Sequence, residues 1–350
     1  MLNPTDFDYH LPKNQIANQP LNNRDQSRLL FVDRSSQKLS DHHFFEIENY
    51  LGKNDVLVLN QTKVFPARIF GQKSTGGHFE ILLAHQISQD TLEALSRPRL
   101  KSGLLLNFSS LLSAQIIDSN PDTGLITLKF NQFGTEFYQS LNQLGHTPIP
   151  PYIKNSQSEK ILRQNYQTIY AKNTGSSAAP TAGLHFTKEL LKKLSDRGVQ
   201  IEYVTLHVGL GTFQPLRLEN LKSKTLHTES YFIDPDTINR LNNAKKSGKK
   251  ITAVGTTTTR CLESFAINPT ATSTQLFIYP PYKFKFVDSL ITNFHLPQSS
   301  LLMLVYAFCS HPNTPQKFSI FSDSLIGQAY LYAVQNDYRF FSFGDAMWII

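Results

Sequence analysis

The sequence predicts an α/β protein that carries a small closed β-barrel. Three observations support this. Residues 64–131 read as six short apolar runs separated by turn signals, the later part of the chain alternates strand and helix patterns, and a Pro-rich then polar stretch at 146–160 stands between them. Strand–helix alternation belongs to a sheet with helices packed on it. Short strands with tight turns and no helical period belong to a barrel. At 350 residues the chain is long for one core, so a large unit and a smaller one are expected.

The barrel strands are read from "VFPARIFG", "HFEILLAHQIS", "TLEALSRP", "GLLLNF", "LSAQIIDS" and "GLITLKFN". "GG" at 76–77, "SQD" at 88–90, "KSG" at 101–103 and "NPDTG" at 120–124 punctuate them, and Phe79, Ile81 and Leu83 alternate with Glu80, Leu82 and Ala84. Residues 135–145 predict a short helix.

Beyond residue 160 the pattern changes. "TKELLKKLSDRG" predicts a helix with Thr187 as N-cap, one face of Leu190, Leu191 and Leu194, and Gly198 as stop. Residues 199–209 predict a strand. "DPDTINRLNNAKKSG" predicts a helix capped by Asp234, with Pro235 in its first turn and Gly248 after it. "KITAVGTTTTR" predicts a buried strand running into a hydroxyl-rich turn before a helix, and "FVDSLITNFHLPQSSLLMLVYAF" a strand, a polar turn and a helix from near Ser299. The strand ends "AVG", "LHVG" and "LIT" are where such sheets hold ligands.

Charged residues make up only 17% of the chain, and the net charge is +7. A basic chain suits a polyanionic partner such as nucleic acid. Cys261 and Cys309 are the only cysteines, which excludes a disulfide framework or an iron–sulfur cluster. "MLNPTDFDYHLP" lacks a secretion-signal pattern, and the apolar run at 301–309 is too short to cross a bilayer. A soluble cytoplasmic protein with no membrane association is expected.

His185, His207, His227 and His295 are all expected at element ends, which points to a shared site. Metal binding is not expected, since HExxH is absent and no pair of ligands has helical spacing apart from the weak His227-Thr228-Glu229. "HVGLGTFQP" lacks the third glycine of a dinucleotide fingerprint. "GTTTTR" at 255–260 offers hydroxyls and helix-start amides suited to a phosphate, a carboxylate or a ribose. "KKSGKK" at 245–250 and "KFK" at 283–285 are candidate phosphate contacts.

Taken together these strings resemble one family, the S-adenosylmethionine:tRNA ribosyltransferase-isomerases of the queuosine pathway. The resemblance runs through "DFDYHLP", "RDQSRLL", "LNQTKVFPARIFG", "GHTPIPPYI", "NYQTIYAKNTGSSAAPTAGLHFT", "TLHVGLGTFQPL", "AVGTTTTRCLES", "FIYPPYKFKFVDSLITNFHLPQSSLLMLVYAF" and "YRFFSFGDAM", in order along nearly the whole chain. It implies an α/β catalytic domain of residues 1–68 and 150–350, interrupted by a β-barrel domain of residues 69–149. It also implies the reaction. The ribosyl part of S-adenosylmethionine passes to 7-aminomethyl-7-deazaguanine at the tRNA wobble position, giving epoxyqueuosine, with adenine and methionine leaving. S-adenosylmethionine is then a consumed substrate, and no cofactor is expected.

That chemistry needs a base for the proton beside the sulfonium and fixed donors for developing charge. His185, His207 and His295 are expected to line the site with Glu229, one of them acting as base. Thr181, Gly183, Gly209, Gly211, Thr256, Thr257, Arg260 and Asn293 are expected to hold substrate. Arg24, Arg28, Lys63, Arg68, Lys283 and Lys285 are expected to face the tRNA, and the protein to act as a monomer. Two rival readings are a tRNA methyltransferase using S-adenosylmethionine, which lacks its Gly-rich first turn here, and a non-catalytic tRNA-binding protein.

Overall fold

The computed structural model describes residues 3–73, 76–154, 157–209, 216, 218–317 and 320–350. The first strands are β1 (Arg28–Asp33), β2 (Lys38–His43), β3 (Asp55–Asn60) and β4 (Thr62–Val64). The next six are β5 (Arg68–Gln72), β6 (His78–Gln86), β7 (Thr91–Arg97), β8 (Leu105–Asn107), β9 (Ser113–Ser119) and β10 (Leu125–Phe130). They close into a barrel in the order β10-β7-β6-β5-β8-β9. The six apolar runs are these six strands. Their period-two pattern turns Phe79, Ile81, Leu83, Ala94 and Leu128 into a single barrel core.

Helices α1 (Gly134–Leu144) and α2 (Glu159–Asn165) lead back to the sheet, followed by β11 (Asn173–Ser176), which pairs with β4. Then come α3 (Lys188–Asp196), β12 (Gln200–Leu206), α4 (Leu218–Ser223), β13 (Thr225–Phe232), α5 (Pro235–Lys246) and β14 (Lys250–Val254). The chain continues through α6 (Thr256–Ile267), β15 (Ser273–Leu276), β16 (Ser289–Asn293), α7 (Ser300–Phe308), α8 (Leu325–Gln335) and β17 (Ala346–Ile349). Among the described residues, nine strands form one mixed sheet in the order β15-β13-β12-β3-β14-β16-β17-β1-β2. Its centre, β12-β3-β14-β16, is parallel.

Both faces of that centre are buried, which is why its strands read as continuous apolar runs. Val56, Val58, Ile251 and Leu290 meet α5, α6, α7 and α8 on one face. Leu57, Leu59, Val254 and Ile291 meet α3 and the 3-10 turn Phe44–Asn49 on the other. The predicted caps of α3 and α5 hold, and Ser299 caps α7. Thr187 Oγ1 accepts from Leu190 N, Asp234 from Asp236 N and Ser299 from Leu302 N. One local expectation changes. Thr256–Thr259 are already the first turn of α6, because Gly255 takes φ +87° and turns the chain into the helix at once.

Candidate functional site

The parallel strands β14 and β16 end side by side at Gly255 and Asn293, and a crevice opens there. Its walls come from three directions. The small-residue loop supplies Ala178–Ala182, the start of α6 supplies Thr256 and Thr257, and the end of β16 supplies Asn293 and His295. Tyr152, Tyr166 and Ser342 complete it, with the Tyr152 and Ser342 hydroxyls 2.8 Å apart. This is the carboxyl edge of the sheet, where open α/β sheets bind ligands.

The loop lies against the sheet because its small residues allow it to be stitched there. Ser176 Oγ accepts from Val208 N at 2.8 Å, and Ser177 N donates to the Val208 carbonyl at 3.0 Å. The start of α6 carries no side-chain cap. Thr258 and Thr259 spend their hydroxyls on the carbonyls of Val254 and Gly255, which leaves Thr256 and Thr257 to the crevice. Asn60, at the end of β3, fixes this corner. Its Nδ2 donates to the Leu206 carbonyl and to Thr257 Oγ1, and its Oδ1 accepts from Thr62 N and Leu206 N.

His295 faces the crevice, with Nε2 2.8 Å from Thr292 Oγ1. Its backbone is held by the hydroxyls of Tyr9 and Tyr330. Burial lowers its pKa to about 3, so the ring is neutral at physiological pH.

His185 occupies a different position. It does not line the crevice but sits behind Asn293, stacked on Phe44 at 4.9 Å. Asn293 Nδ2 donates to His185 Nε2 at 3.2 Å and to the Asp345 carbonyl, while its Oδ1 accepts from Thr181. The carbonyl can only accept, which fixes the amide and in turn the imidazole tautomer. Nδ1 carries the proton and donates to Ser27 Oγ at 2.7 Å. Burial first, then the charge of Arg339, pulls the His185 pKa down to about 3.

The expectation of one cavity shared by the histidines and Glu229 is corrected. His207 lines a second crevice with Gly209 and with His85 of the barrel. Its Nδ1 is 2.8 Å from Thr62 Oγ1, and burial followed by the charge of His85 lowers its pKa. His227 lies inside β13, not at its end. Glu229 is buried against Arg260, and its Oε1 accepts from Gly209 N at 3.1 Å. Arg260 pairs with Glu229 through Nη1 and donates from Nε to the Leu276 carbonyl, while its Nη2 has no hydrogen-bond partner among the described residues. Gly183 also has another task. A Cβ there would fall 2.0 Å from the Tyr170 hydroxyl, so the glycine admits Tyr170 to the core. Gly211 lies outside the described residues. Thr181, Thr256, Thr257, Asn293 and His295 are therefore the expected site residues that the fold brings together.

The expected RNA cations divide in two. Lys63, Lys283 and Lys285 are exposed. Arg24 instead caps the end of α2 through the carbonyls of Gln164, Asn165 and Gln167. Arg28 binds Asp41 and the Asn336 carbonyl beneath α8, and lies 3.7 Å over the Tyr338 ring. Arg68 binds the Ile149 carbonyl and stands 3.4 Å from Glu80. Asn60, Ser27 and Glu263 were not among the expected site residues. Glu263, fully buried, accepts from the amides of Lys285, Phe286 and Val287 and from Tyr282, and so holds the loop that bears Lys283 and Lys285.

A sequence model described as queuosine biosynthesis protein matches residues 4–349. The chain belongs to the queuosine biosynthesis family. It is 45% identical over 351 residues to the S-adenosylmethionine:tRNA ribosyltransferase-isomerase of Thermosipho melanesiensis, covering 99% of each chain. The crystal structure of an S-adenosylmethionine tRNA ribosyltransferase from Thermotoga maritima matches with 37% identity and a TM-score of 0.55, over 99% of this chain and 100% of that one. The chain is thus an enzyme of the family, a transferase–isomerase by kinship, and the mixed sheet with its closed barrel is the family fold. Among the described residues, no helix is long and apolar enough to cross a membrane.

Proposed function

We propose that this enzyme transfers and isomerises the ribosyl part of S-adenosylmethionine onto 7-aminomethyl-7-deazaguanine at the wobble position of tRNA. Epoxyqueuosine-tRNA forms, and adenine and methionine leave. S-adenosylmethionine is the ribose donor and is consumed, so the reaction calls for no further cofactor.

The observation that carries this reading is the crevice itself, where an uncapped helix start and a neutral imidazole face the same space. The amides of α6 and the hydroxyls of Thr256 and Thr257 suit a carboxylate or ribose hydroxyls. The sulfonium acidifies the adjacent 5′ carbon, and in this reading the unprotonated His295 accepts that proton. Asn293, pinned by Thr181, Asp345 and His185, gives the crevice a wall that does not rearrange as charge develops. His185 acts through Asn293 as a positioning residue. Lys283 and Lys285 offer exposed charge to the tRNA backbone, and an anticodon-loop base is unstacked at less cost than one in a duplex.

The test is to incubate the protein with S-adenosylmethionine and precursor-bearing tRNA and to analyse the nucleosides by mass. Adenine release with a ribosyl-derived gain in mass is expected. A methyl-sized gain, or none, overturns the reading.

A further inference from the structure

At the opposite edge of the same sheet a cavity of about 610 Å³ opens on the face that carries α3, although no residue of α3 lines it. Its floor is a row across four strands. Thr252 is in register with Ser289, their hydroxyls are 2.7 Å apart, and Trp348 Nε1 donates to Ser289 Oγ at 3.3 Å. Trp348 is in register with Phe31, the two rings meeting edge-on at 5.2 Å. Tyr50 stands at the rim, 48% exposed and 5.3 Å from Phe31. The result is an aromatic wall beside a hydroxyl floor on an otherwise apolar face.

The "KKSGKK" run forms the other wall as α5 turns into β14. Two nearby cations are already committed. Lys245 is 3.4 Å from Asp288 and donates to the Phe286 carbonyl, and Arg34 donates to the carbonyls of Ile350, Phe308 and Asp288. Two have no charged partner among the described residues: Lys249 Nζ donates to Gln200 Oε1 at 3.3 Å, and exposed Lys250 has no side-chain partner. Asp55 and Asp288 are the only side-chain carboxylates among the lining residues. The balance is cationic, and the available donors belong to the two adjacent lysines.

We propose that this cavity binds a nucleoside phosphate, with its ring on Tyr50 and Phe31 in front of the buried Trp348 and its phosphate at Lys249 and Lys250. A nucleobase needs an aromatic face to stack on. A phosphate needs cations whose hydrogens are not already taken. The cavity has the size of a small-molecule site. Its lysines lie one strand length, about 16 Å, from the crevice at the other end of β14, too far to hold the reacting groups. The ligand is a free mononucleotide or one nucleotide of an RNA strand, and the inference stands apart from the reaction proposed above.

Trp348 is the only tryptophan in the chain, so its fluorescence reads this cavity directly. The full chain is titrated with AMP, adenosine, inorganic phosphate and an unstructured ribo-oligonucleotide. AMP is expected to give a saturable change, with adenosine and phosphate at least tenfold weaker. The Lys249→Ala/Lys250→Ala variant is expected to weaken AMP at least tenfold. Saturation by the oligonucleotide alone identifies RNA as the source. No saturable response to either nucleotide, or an unchanged response in the double variant, overturns the proposal.

Discussion

Asn293 Nδ2 lies 3.2 Å from His185 Nε2, and this contact places the histidine of the small-residue loop behind the crevice wall. The ring orients a side chain that faces the ligand space and does not face it itself. His185→Phe keeps the stacking on Phe44 but loses both ring hydrogen bonds. The loss of buried bonds is expected to cost about 1–3 kcal/mol. Turnover is expected to fall about tenfold or more, with a raised KM for S-adenosylmethionine and unchanged tRNA affinity. Unaltered kinetics would show that the pose of Asn293 does not matter.

His295→Ala removes the crevice's own imidazole. Turnover is expected to drop by roughly 100-fold or more, the usual scale for a proton-transfer group. Single-turnover adenine release measures it, with melting temperature as the check on fold.

Both buried imidazoles make stability depend on pH. Their folded pKa values, about 3, lie below the ordinary value of 6.5. Between these limits the unfolded chain binds more protons, so stability falls as pH drops from 6.5 towards 3. Each ring contributes up to about 1.4 kcal/mol per pH unit. Urea unfolding at pH 4.5–6.5, above most carboxylate titrations, is expected to show this slope. His185→Phe should reduce it by about one proton.

The buried pair of Glu229 and Arg260 is expected to behave as a unit. Glu229→Gln strands a charge and should destabilise by about 3–5 kcal/mol, whereas the double change Glu229→Leu/Arg260→Met should cost much less. Denaturant midpoints compare the two, and equal losses would refute the coupling.

Lys283→Ala/Lys285→Ala is expected to weaken tRNA binding and to reduce the salt slope by about 1 per lysine, with stability unchanged. Arg24→Ala and Arg28→Ala should do the reverse, because those guanidinium groups hold helix ends. Filter binding across salt concentrations, with melting curves, separates the two groups.

Local chemistry explains what the sequence revealed. Barrel strands announce themselves by alternation and turn residues, and the caps Thr187 and Asp234 by their place before an amphipathic run. The shared histidine cluster did not materialise because a strand-end position fixes the edge of the sheet but not the partner. His207 turned to Thr62 and His185 to Ser27, residues far away in the chain. Arg24 and Arg28 read as surface charge for the same reason. Their backbone acceptors lie more than 100 positions later. Glu263 gave no signal, since nothing in a helix sequence tells that a carboxylate will collect three amides from a distant loop.

Helix α6 joins two duties that the sequence keeps separate. Its first turn borders the crevice, and Glu263, two turns on, grips the loop of Lys283 and Lys285. A 12-residue helix is a stiff lever roughly 18 Å long. Tilting it by a few degrees displaces one tip by about 1 Å relative to the other, so whatever pulls on the basic loop is felt at the small-molecule end.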